Sequence, residues 1–331
     1  MKAVIPVAGA GTNLRPLTYT QPKPLIPVAG KPIIAFILDQ LIDAGIHEFV
    51  FILGYLGDKI RNYVEKQYPN IRCEFVNQDK RMGLGHAVLT AQKEIEGQDE
   101  ILIMLGDTIL DIDMKSFVAS NRSCLAIKKV KDPRNFGVVE FGKDGEVIKM
   151  VEKPQIPKSN MAIVGLYKIK EVSALLKSLR HIVDNDLRTH GEYHLTDALM
   201  MLIEQGVQFD CLEADNWFDC GKKEILLETN AKLLDRQIEL HQPTPVFENT
   251  IIIEPVYIGK DCDIKNSIIG PHVTIGDNAA IDYSIVKESI IGNYAMIKEV
   301  VLENSVVGND AAIHGLCQSL NIGDNTEIDF G

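Results

Sequence analysis

Apolar residues follow two rhythms along the first 235 residues, and the two alternate. Short apolar runs predict strands at 3–7, 48–53, 72–76, 101–105, 124–130, 137–141 and 162–168. Between them the spacing lengthens to the helical period. Ile33, Phe36, Ile37, Leu41 and Ala44 share one face of a helix over 32–44. The same period predicts helices over 55–66, 84–94, 170–179, 195–205 and 222–240. Strands that alternate with helices build a mostly parallel sheet with helices on both faces. Ligands of such sheets gather at the carboxyl ends of the strands. Gly9, Gly11, Gln78 and Asp107 follow strands in this reading and are expected there.

The texture changes at Gln242-Pro243-Thr244-Pro245. Beyond it an aliphatic residue and a glycine recur: Ile258-Gly259, Ile269-Gly270, Ile275-Gly276, Ile291-Gly292, Val307-Gly308 and Ile322-Gly323. Another isoleucine follows six residues after each aliphatic one, at Ile264, Ile275, Ile281, Ile297, Ile313 and Ile328. This is the hexapeptide rhythm of a parallel β-helix. The aliphatic side chains point into a narrow coil. The glycines are expected at corners, where close approach or unusual dihedrals are needed. The division predicts two domains, 1–241 and 246–331. Coils of this kind stack rungs and associate with copies of themselves, so a homo-oligomer is expected.

The chain has 331 residues, enough for two domains, and 46% are hydrophobic, enough for a sizeable core. A net charge of −12 excludes nucleic acid and an acidic membrane surface as partners. The six cysteines, Cys73, Cys124, Cys211, Cys220, Cys262 and Cys317, are scattered without a Cys-x-x-Cys pair. They read as thiols in a reducing compartment. The chain enters a strand directly, without a basic leader, and no apolar run reaches membrane-spanning length. A cytoplasmic location is expected.

The chemistry starts where the first strand breaks into Ala8-Gly9-Ala10-Gly11-Thr12-Asn13-Leu14-Arg15-Pro16, with Pro22-Lys23-Pro24 soon after. A Gly-rich turn lets backbone N–H groups approach a ligand, and a lysine adds charge, so the pair reads as a polyphosphate cradle. The dinucleotide fingerprint lacks its third glycine, and the Gly-Lys-Ser/Thr of the Walker loop is absent.

Gly9-Ala10-Gly11-Thr12-x-Leu14-Arg15-Pro16-Leu17-Thr18 with Pro22-Lys23-Pro24 resembles the signature of the sugar-1-phosphate nucleotidyltransferases. The resemblance continues in order through Gln78, Gly83-Leu84-Gly85-His86-Ala87, Leu105-Gly106-Asp107, Phe136-Gly137-Val138-Val139 and Val151-Glu152-Lys153-Pro154. It then takes in Gly165-Leu166-Tyr167, Glu192-Tyr193-His194-Leu195-Thr196-Asp197 and Trp217-Phe218-Asp219-Cys220-Gly221. It covers about residues 1–235. It implies a Rossmann-like domain, followed by a coil that is left-handed. It also implies an enzyme that joins a sugar 1-phosphate to a nucleoside triphosphate and releases pyrophosphate.

The resemblance assigns roles residue by residue. Asp107 and Asp219 match the ligands of Mg²⁺, a metal held by one or two carboxylates and substrate phosphates. Asp111 and Asp113 read as turn and cap residues. Lys23 matches a contact to the nucleotide phosphates and Lys153 a grip on the sugar phosphate. These two lysines and two aspartates are the catalytic candidates. Ala8, Gly9, Gly11, Thr12, Asn13, Lys23, Gln78, Gly83 and Asp107 match the nucleotide site, where Gln78 and Gly83 read the base. Gly137, Glu152, Lys153, Ile163 and Gly165 match the sugar-phosphate pocket. His86 is expected to pack a helix N-terminus under the base.

Asn13 departs from the pattern, because the family usually has arginine there to stabilise the triphosphate. Asparagine can donate a hydrogen bond but cannot form a charged bidentate clamp. Three readings follow: slow catalysis, compensation by Arg15 or another cation, or a regulatory subunit that binds sugar nucleotides. The overall likeness favours dTTP or UTP with glucose 1-phosphate; guanylyl transfer to mannose 1-phosphate is a further option. His272 and His314 in the coil raise a second possibility, acyl transfer by the β-helix.

Overall fold

The computed structural model describes residues 1–238 and 245–315. The chain forms two compact units, Met1–Thr229 and Asn230–Gly331. The proline-rich boundary at 242–244, Cys317, Ile322-Gly323 and Ile328 lie outside the described residues.

The chain begins with β1 (Lys2–Val7), a small hairpin of β2 (Pro27–Val28) and β3 (Lys31–Pro32), α1 (Ile33–Asp43), β4 (Glu48–Leu53), α2 (Gly57–Gln67) and β5 (Arg72–Asn77). Next come α3 (Leu84–Thr90), α4 (Gln92–Ile95), β6 (Ile101–Met104), β7 (Thr108–Asp111), α5 (Met114–Ala119) and β8 (Ser123–Lys129). There follow β9 (Gly137–Phe141), β10 (Val147–Glu152), β11 (Met161–Ile169), α6 (Val172–Asp184), α7 (Leu195–Glu204), β12 (Phe209–Glu213), β13 (Asn216–Asp219) and α8 (Lys223–Ile238).

The main sheet is Rossmann-like. Its parallel centre runs β6-β1-β4-β5. β11 joins β6 antiparallel and carries β8 and β9, and β12 pairs parallel with β8. The central strands are apolar on both faces because both faces are covered. Val4, Val50, Ile52, Ile101 and Ile103 pack with α3, α6 and α7, through Val88, Leu175, Leu179, Leu199 and Leu202 among others. The alternate residues Ala3, Ile5, Phe49 and Phe51 point the other way and are also buried.

The helix expected over 84–94 is two helices, broken at Ala91. Besides the two-residue β2 and β3, four strands carry too little periodicity to announce themselves. β10 has a register shift between Val147 and Lys149, which spoils its alternation. β7 and β13 are four residues each and pair only with one another, and β12 is a five-residue run, Phe209–Glu213. No helix among the described residues is long and apolar enough to cross a membrane.

The second unit contains three parallel four-stranded sheets, the pattern of a left-handed β-helix. Ile264 pairs in register with Ile281, Ile281 with Ile297 and Ile297 with Ile313, so one rung takes 17 or 16 residues. These isoleucines, with Ile269, Ile275, Ile291 and Val286, fill the coil's core. The glycines serve close approach. A Cβ on Gly259, Gly276 or Gly292 would meet the carbonyl carbon of the glycine one rung on at 2.7, 2.9 or 2.6 Å. The left-handed backbone falls mostly to other residues, among them Asn249, Asn266, Asn278, Asn304 and Asp310. Asparagine and aspartate tolerate that region best after glycine. Side chains also climb from rung to rung: Asn293 Oδ1 accepts from Asp277 N–H, and Asn309 Oδ1 from Asn293 N–H, each at 2.9 Å.

Candidate active site

β1 and β6 lie parallel, with Lys2 opposite Ile101 and Val4 opposite Ile103, so their carboxyl ends open at one edge. The chain leaves β1 into Ala8-Gly9-Ala10-Gly11 and a 3₁₀ turn, Thr12–Leu14. It leaves β6 into Leu105-Gly106-Asp107. The two exits touch. Gly106 N–H donates to the Pro6 carbonyl at 3.3 Å, and a Cβ on Gly106 would stand 2.1 Å from Val7 Cγ1. No side chain fits there. Gly11 has φ +61°, a left-handed turn. Thr18 Oγ1 donates to its carbonyl at 2.8 Å, which folds the turn back against Lys23.

A second pairing delivers the second aspartate. β13 runs antiparallel to β7 with Asp219 opposite Thr108, so Asp219 arrives beside Asp107. Lys23, set between Pro22 and Pro24, reaches both carboxylates. Its Nζ is 2.5 Å from Asp107 Oδ2 and 3.5 Å from Asp219 Oδ1, and the side chain is 11% exposed. Burial pulls the Lys23 ammonium down, but attraction to Asp107 and Asp219 outweighs it and holds the group above its usual value. Asp219 is less well compensated. Burial and the charge of Asp107 raise its carboxyl above the usual range, against the opposing pull of Lys23. The cluster therefore carries two anions and one cation, and it is short of positive charge. Two hard oxygen donors with that deficit fit a Mg²⁺-sized cation that completes its shell with phosphate oxygens and water. No group of three or more His, Cys, Asp or Glu side chains able to hold a metal occurs among the described residues. Asp113 caps α5 through Ser116 N–H at 3.1 Å, and Asp111 accepts from Asn216 Nδ2 at 2.8 Å.

Two clefts meet at this cluster. The first, about 310 Å³, is lined by Gly9, Gly11, Thr12, Asn13, Lys23, Asp107 and neighbours. Ala8 is buried just behind, its carbonyl accepting from Tyr55 N–H at 3.4 Å. Asn13 is exposed and forms no hydrogen bond among the described residues. Arg15 does not line this cleft; its guanidinium lies over the Tyr19 ring, 4.9 Å from the centroid. Lys23 is the one cationic side chain among the described residues lining the cleft.

The second cleft, about 290 Å³, is lined by Gly137, Glu152, Lys153, Ile163 and Gly165, together with Asp107 and Asp219. Leu105 and Asp107 belong to both clefts. Glu152 ends β10, and its Oε2 accepts from Thr196 Oγ1 at 2.7 Å. A Cβ on Gly137 would meet both of those oxygens at 3.0 Å. Lys153 follows with φ +43°. Its N–H is tied to the Phe136 carbonyl at 3.0 Å, and its ammonium has no ion pair among the described residues. Burial, and then the charge of Glu152, push the Tyr167 hydroxyl well above its usual range.

Gln78 and Gly83 come together, outside the lining of both clefts. Gln78 Nε2 donates to the Gly83 carbonyl at 3.2 Å and lies 3.0 Å from His86 Nδ1. His86 sits in the first turn of α3, stacked on Tyr193. Burial, and then Lys80, hold its imidazole below the usual value.

His194, Thr196 and Trp217 are among the side chains on the second cleft that the sequence does not mark as site residues; Asn135, Tyr167 and Glu192 are others. Except for Asn135 their motifs are visible, but nothing in a motif marks which side chains turn inward. Trp217 packs edge-on against Phe136, 4.6 Å between centroids. Its Nε1 and the Nε2 of His194 are buried without hydrogen-bond partners among the described residues. In the other unit, both ring nitrogens of His272 are engaged, Nδ1 at 3.1 Å from Glu288 and Nε2 at 3.0 Å from Asp235.

A model of the nucleotidyl transferase family matches residues 2–236. The "Bifunctional protein GlmU" of Methanocaldococcus jannaschii is 36% identical over 259 residues, 78% of this chain and 60% of that protein. The chain thus spans about three fifths of that relative's length. A glucose-1-phosphate thymidylyltransferase of Streptomyces antibioticus is 31% identical over 316 residues, 88% of this chain and 87% of that one. A crystal structure of UDP-glucose pyrophosphorylase with UDP-glucose shares the fold, with TM-score 0.62 and 23% identity over 71% of this chain and 98% of that chain.

Proposed function

The chain belongs to the nucleotidyl transferase family; on that premise we propose that it is a nucleotidyltransferase of the sugar-1-phosphate type that makes a dTDP- or UDP-sugar, with glucose 1-phosphate as the favoured acceptor. One observation carries the reading: two clefts, one behind the Gly-rich turn and one beside Glu152 and Lys153, share Asp107. A donor and an acceptor bound there would meet at the carboxylate pair.

In the proposed reaction an oxygen of the sugar phosphate attacks the α-phosphorus. A P–O bond forms, the bond to the β-phosphate oxygen breaks, and pyrophosphate leaves. No covalent enzyme intermediate is needed; alignment and neutralisation of charge suffice. Lys23 would serve the triphosphate and Lys153 the sugar phosphate, which keeps two anions in line. Glu152, already oriented by Thr196, would accept hydrogen bonds from sugar hydroxyls. Asp107 and Asp219 would hold Mg²⁺, which when bound supplies Lewis-acid neutralisation of phosphate charge. Gln78 next to Gly83 would read the base edge.

The test is isotopic. Sugar 1-phosphate labelled with ¹⁸O in its phosphate should pass all its label into the nucleotide sugar and none into pyrophosphate. Label in pyrophosphate would refute the attack described. A second reading, a catalytically weak sugar-nucleotide-binding subunit, draws on Asn13 in the first cleft and on Arg15 being engaged with Tyr19. Acyl transfer by the coil draws no support from His272, whose nitrogens are both occupied.

A further inference from the structure

The Gln78 amide has a donor end and an acceptor end, and its surroundings decide which end a ligand meets. Gln78 follows β5, at the edge where the parallel strands β6, β1, β4 and β5 all finish. Its backbone N–H donates to the Leu53 carbonyl at 2.8 Å, and 6% of the residue is exposed. Its Nε2 lies 3.2 Å from the Gly83 carbonyl oxygen and 3.0 Å from His86 Nδ1. Both neighbours are held in place. Gly83 has φ +104°, and a Cβ there would stand 2.5 Å from the Tyr193 carbonyl oxygen. The Gly83 carbonyl also accepts from Ala87 N–H at 3.1 Å. The His86 ring stacks on Tyr193, 6.4 Å between centroids. Tyr193 is itself pinned: its N–H donates to the Met82 carbonyl and its carbonyl accepts from Gly85 N–H, each at 2.8 Å.

A carbonyl can only accept, so the NH₂ end of the amide faces Gly83. Its second hydrogen then meets His86 Nδ1. That bond forms when Nδ1 holds a lone pair and the ring proton sits on Nε2. Burial, and then Lys80, favour the neutral ring this requires. Both hydrogens on Gln78 Nε2 are thereby used. Gln78 Oε1, on the other side of the amide, has no partner among the described residues and is not one of the side-chain atoms shut away from solvent without one. We propose that His86 is a positioning residue for base selection: by accepting the second N–H of Gln78 it leaves Oε1 as the atom the amide presents, so the site takes a nucleotide whose base offers a ring N–H, as thymine and uracil do at N3. The proposal rests on the reading above that Gln78 faces the base. Cytosine carries a lone pair at N3. Set against Oε1, it leaves two acceptors facing each other without a proton, which is costly. To suit cytosine the amide must turn over, which sets Oε1 against the Gly83 carbonyl and His86 Nδ1. His86 makes that turn harder by one hydrogen bond.

The experiment measures calorimetric binding of UTP against CTP and of dTTP against 5-methyl-dCTP, pairs that differ only at ring positions 3 and 4. The wild-type protein should favour the first of each pair by at least about tenfold, the worth of one neutral hydrogen bond. His86→Phe keeps a ring against Tyr193 but removes the acceptor, so the preference should shrink by about tenfold. His86→Asn returns an acceptor at the δ position and should restore most of it. An equal loss for both members of a pair in His86→Phe would mean that His86 only packs beneath the base, and would overturn the proposal. A wild-type protein indifferent within both pairs would overturn it too. A preference that survives Gln78→Leu would refute the base-reading role of Gln78, and the proposal with it. Should His86→Phe fail to fold, ¹⁵N NMR of the wild-type imidazole at pH 7.5 decides: a bare Nδ1 and a protonated Nε2 are expected, and a proton on Nδ1 overturns the proposal. Absence of pyrophosphate release with every sugar phosphate refutes the transfer reading instead, while the binding ratios judge base selection independently of turnover.

Discussion

Replacing Asn13 by arginine should make the protein faster. Asn13 stands on the 3₁₀ turn beside the first cleft, exposed and without a hydrogen bond among the described residues. Lys23 is the single cation on the described lining, and it is already shared between Asp107 and Asp219. A triphosphate brings several negative charges to that place. A guanidinium at position 13 would add a charge-assisted hydrogen bond, worth about 1.5–3 kcal/mol. If that bond strengthens in the transition state, it corresponds to about a 10- to 150-fold gain at 1.36 kcal/mol per decade. Because the position is exposed, stability should change by less than about 0.5 kcal/mol. The assay is continuous pyrophosphate release with saturating sugar phosphate and varied nucleotide. Arg15→Ala is the control. Its guanidinium packs on Tyr19 away from the cleft, so turnover should stay within about twofold, a surface-substitution effect. A fall in turnover for Asn13→Arg, or no change, would refute the reasoning that the cleft lacks a cation.

Other outcomes follow from the same geometry. Gly106→Ala forces a Cβ to 2.1 Å from Val7 Cγ1; overpacking of this kind costs about 1–3 kcal/mol, to be read as a lower urea midpoint. Asp107→Asn should abolish turnover and its response to added Mg²⁺, while the wild-type protein should lose turnover in EDTA and regain it with Mg²⁺. Lys153→Met should raise KM for the sugar phosphate without lowering the melting temperature, since its ammonium pairs with nothing among the described residues. His272 gives a pH signature. Burial lowers its pKa, but hydrogen bonds to Glu288 and Asp235 outweigh that and raise it above 6.5. A raised folded pKa adds stability that is fully present below the unfolded value and lost as pH rises through the folded one. The melting-temperature gap between wild type and His272→Gln should therefore be widest at pH 6 and close toward pH 9; a gap that widens instead would contradict the assignment.

The fold is legible in the sequence where periodicity is strong. Central strands buried on both faces show as apolar runs, and Gly9, Gly11, Lys23 and Asp107 flank them at readable places. The coil's isoleucines likewise repeat because each rung must fill the same narrow core. The shortfalls are equally physical. β7 and β13 bring Asp219 to Asp107, yet each is four residues long and is stabilised by the other from over a hundred residues away. β10 carries Glu152 into the cleft, but its bulge hides its alternation. His194 and Trp217 stand out only through their place on the cleft and their burial without partners among the described residues, which no spacing encodes. In the coil, glycine was expected at corners for either of two reasons. The structure uses it mainly for rung-to-rung contact and leaves most of the left-handed turns to other residues, asparagine prominent among them.

The central claim is that the clefts on either side of Asp107 hold donor and acceptor for one transfer. Pyrophosphate release by the purified protein with Mg²⁺ tests it most directly, run across dTTP, UTP, GTP, CTP and ATP against a panel of hexose 1-phosphates. The account predicts release that requires both partners together, favours dTTP or UTP, and disappears in Asp107→Asn. Release from nucleotide alone, or none with any pair from a folded protein that still binds nucleotide, would contradict it.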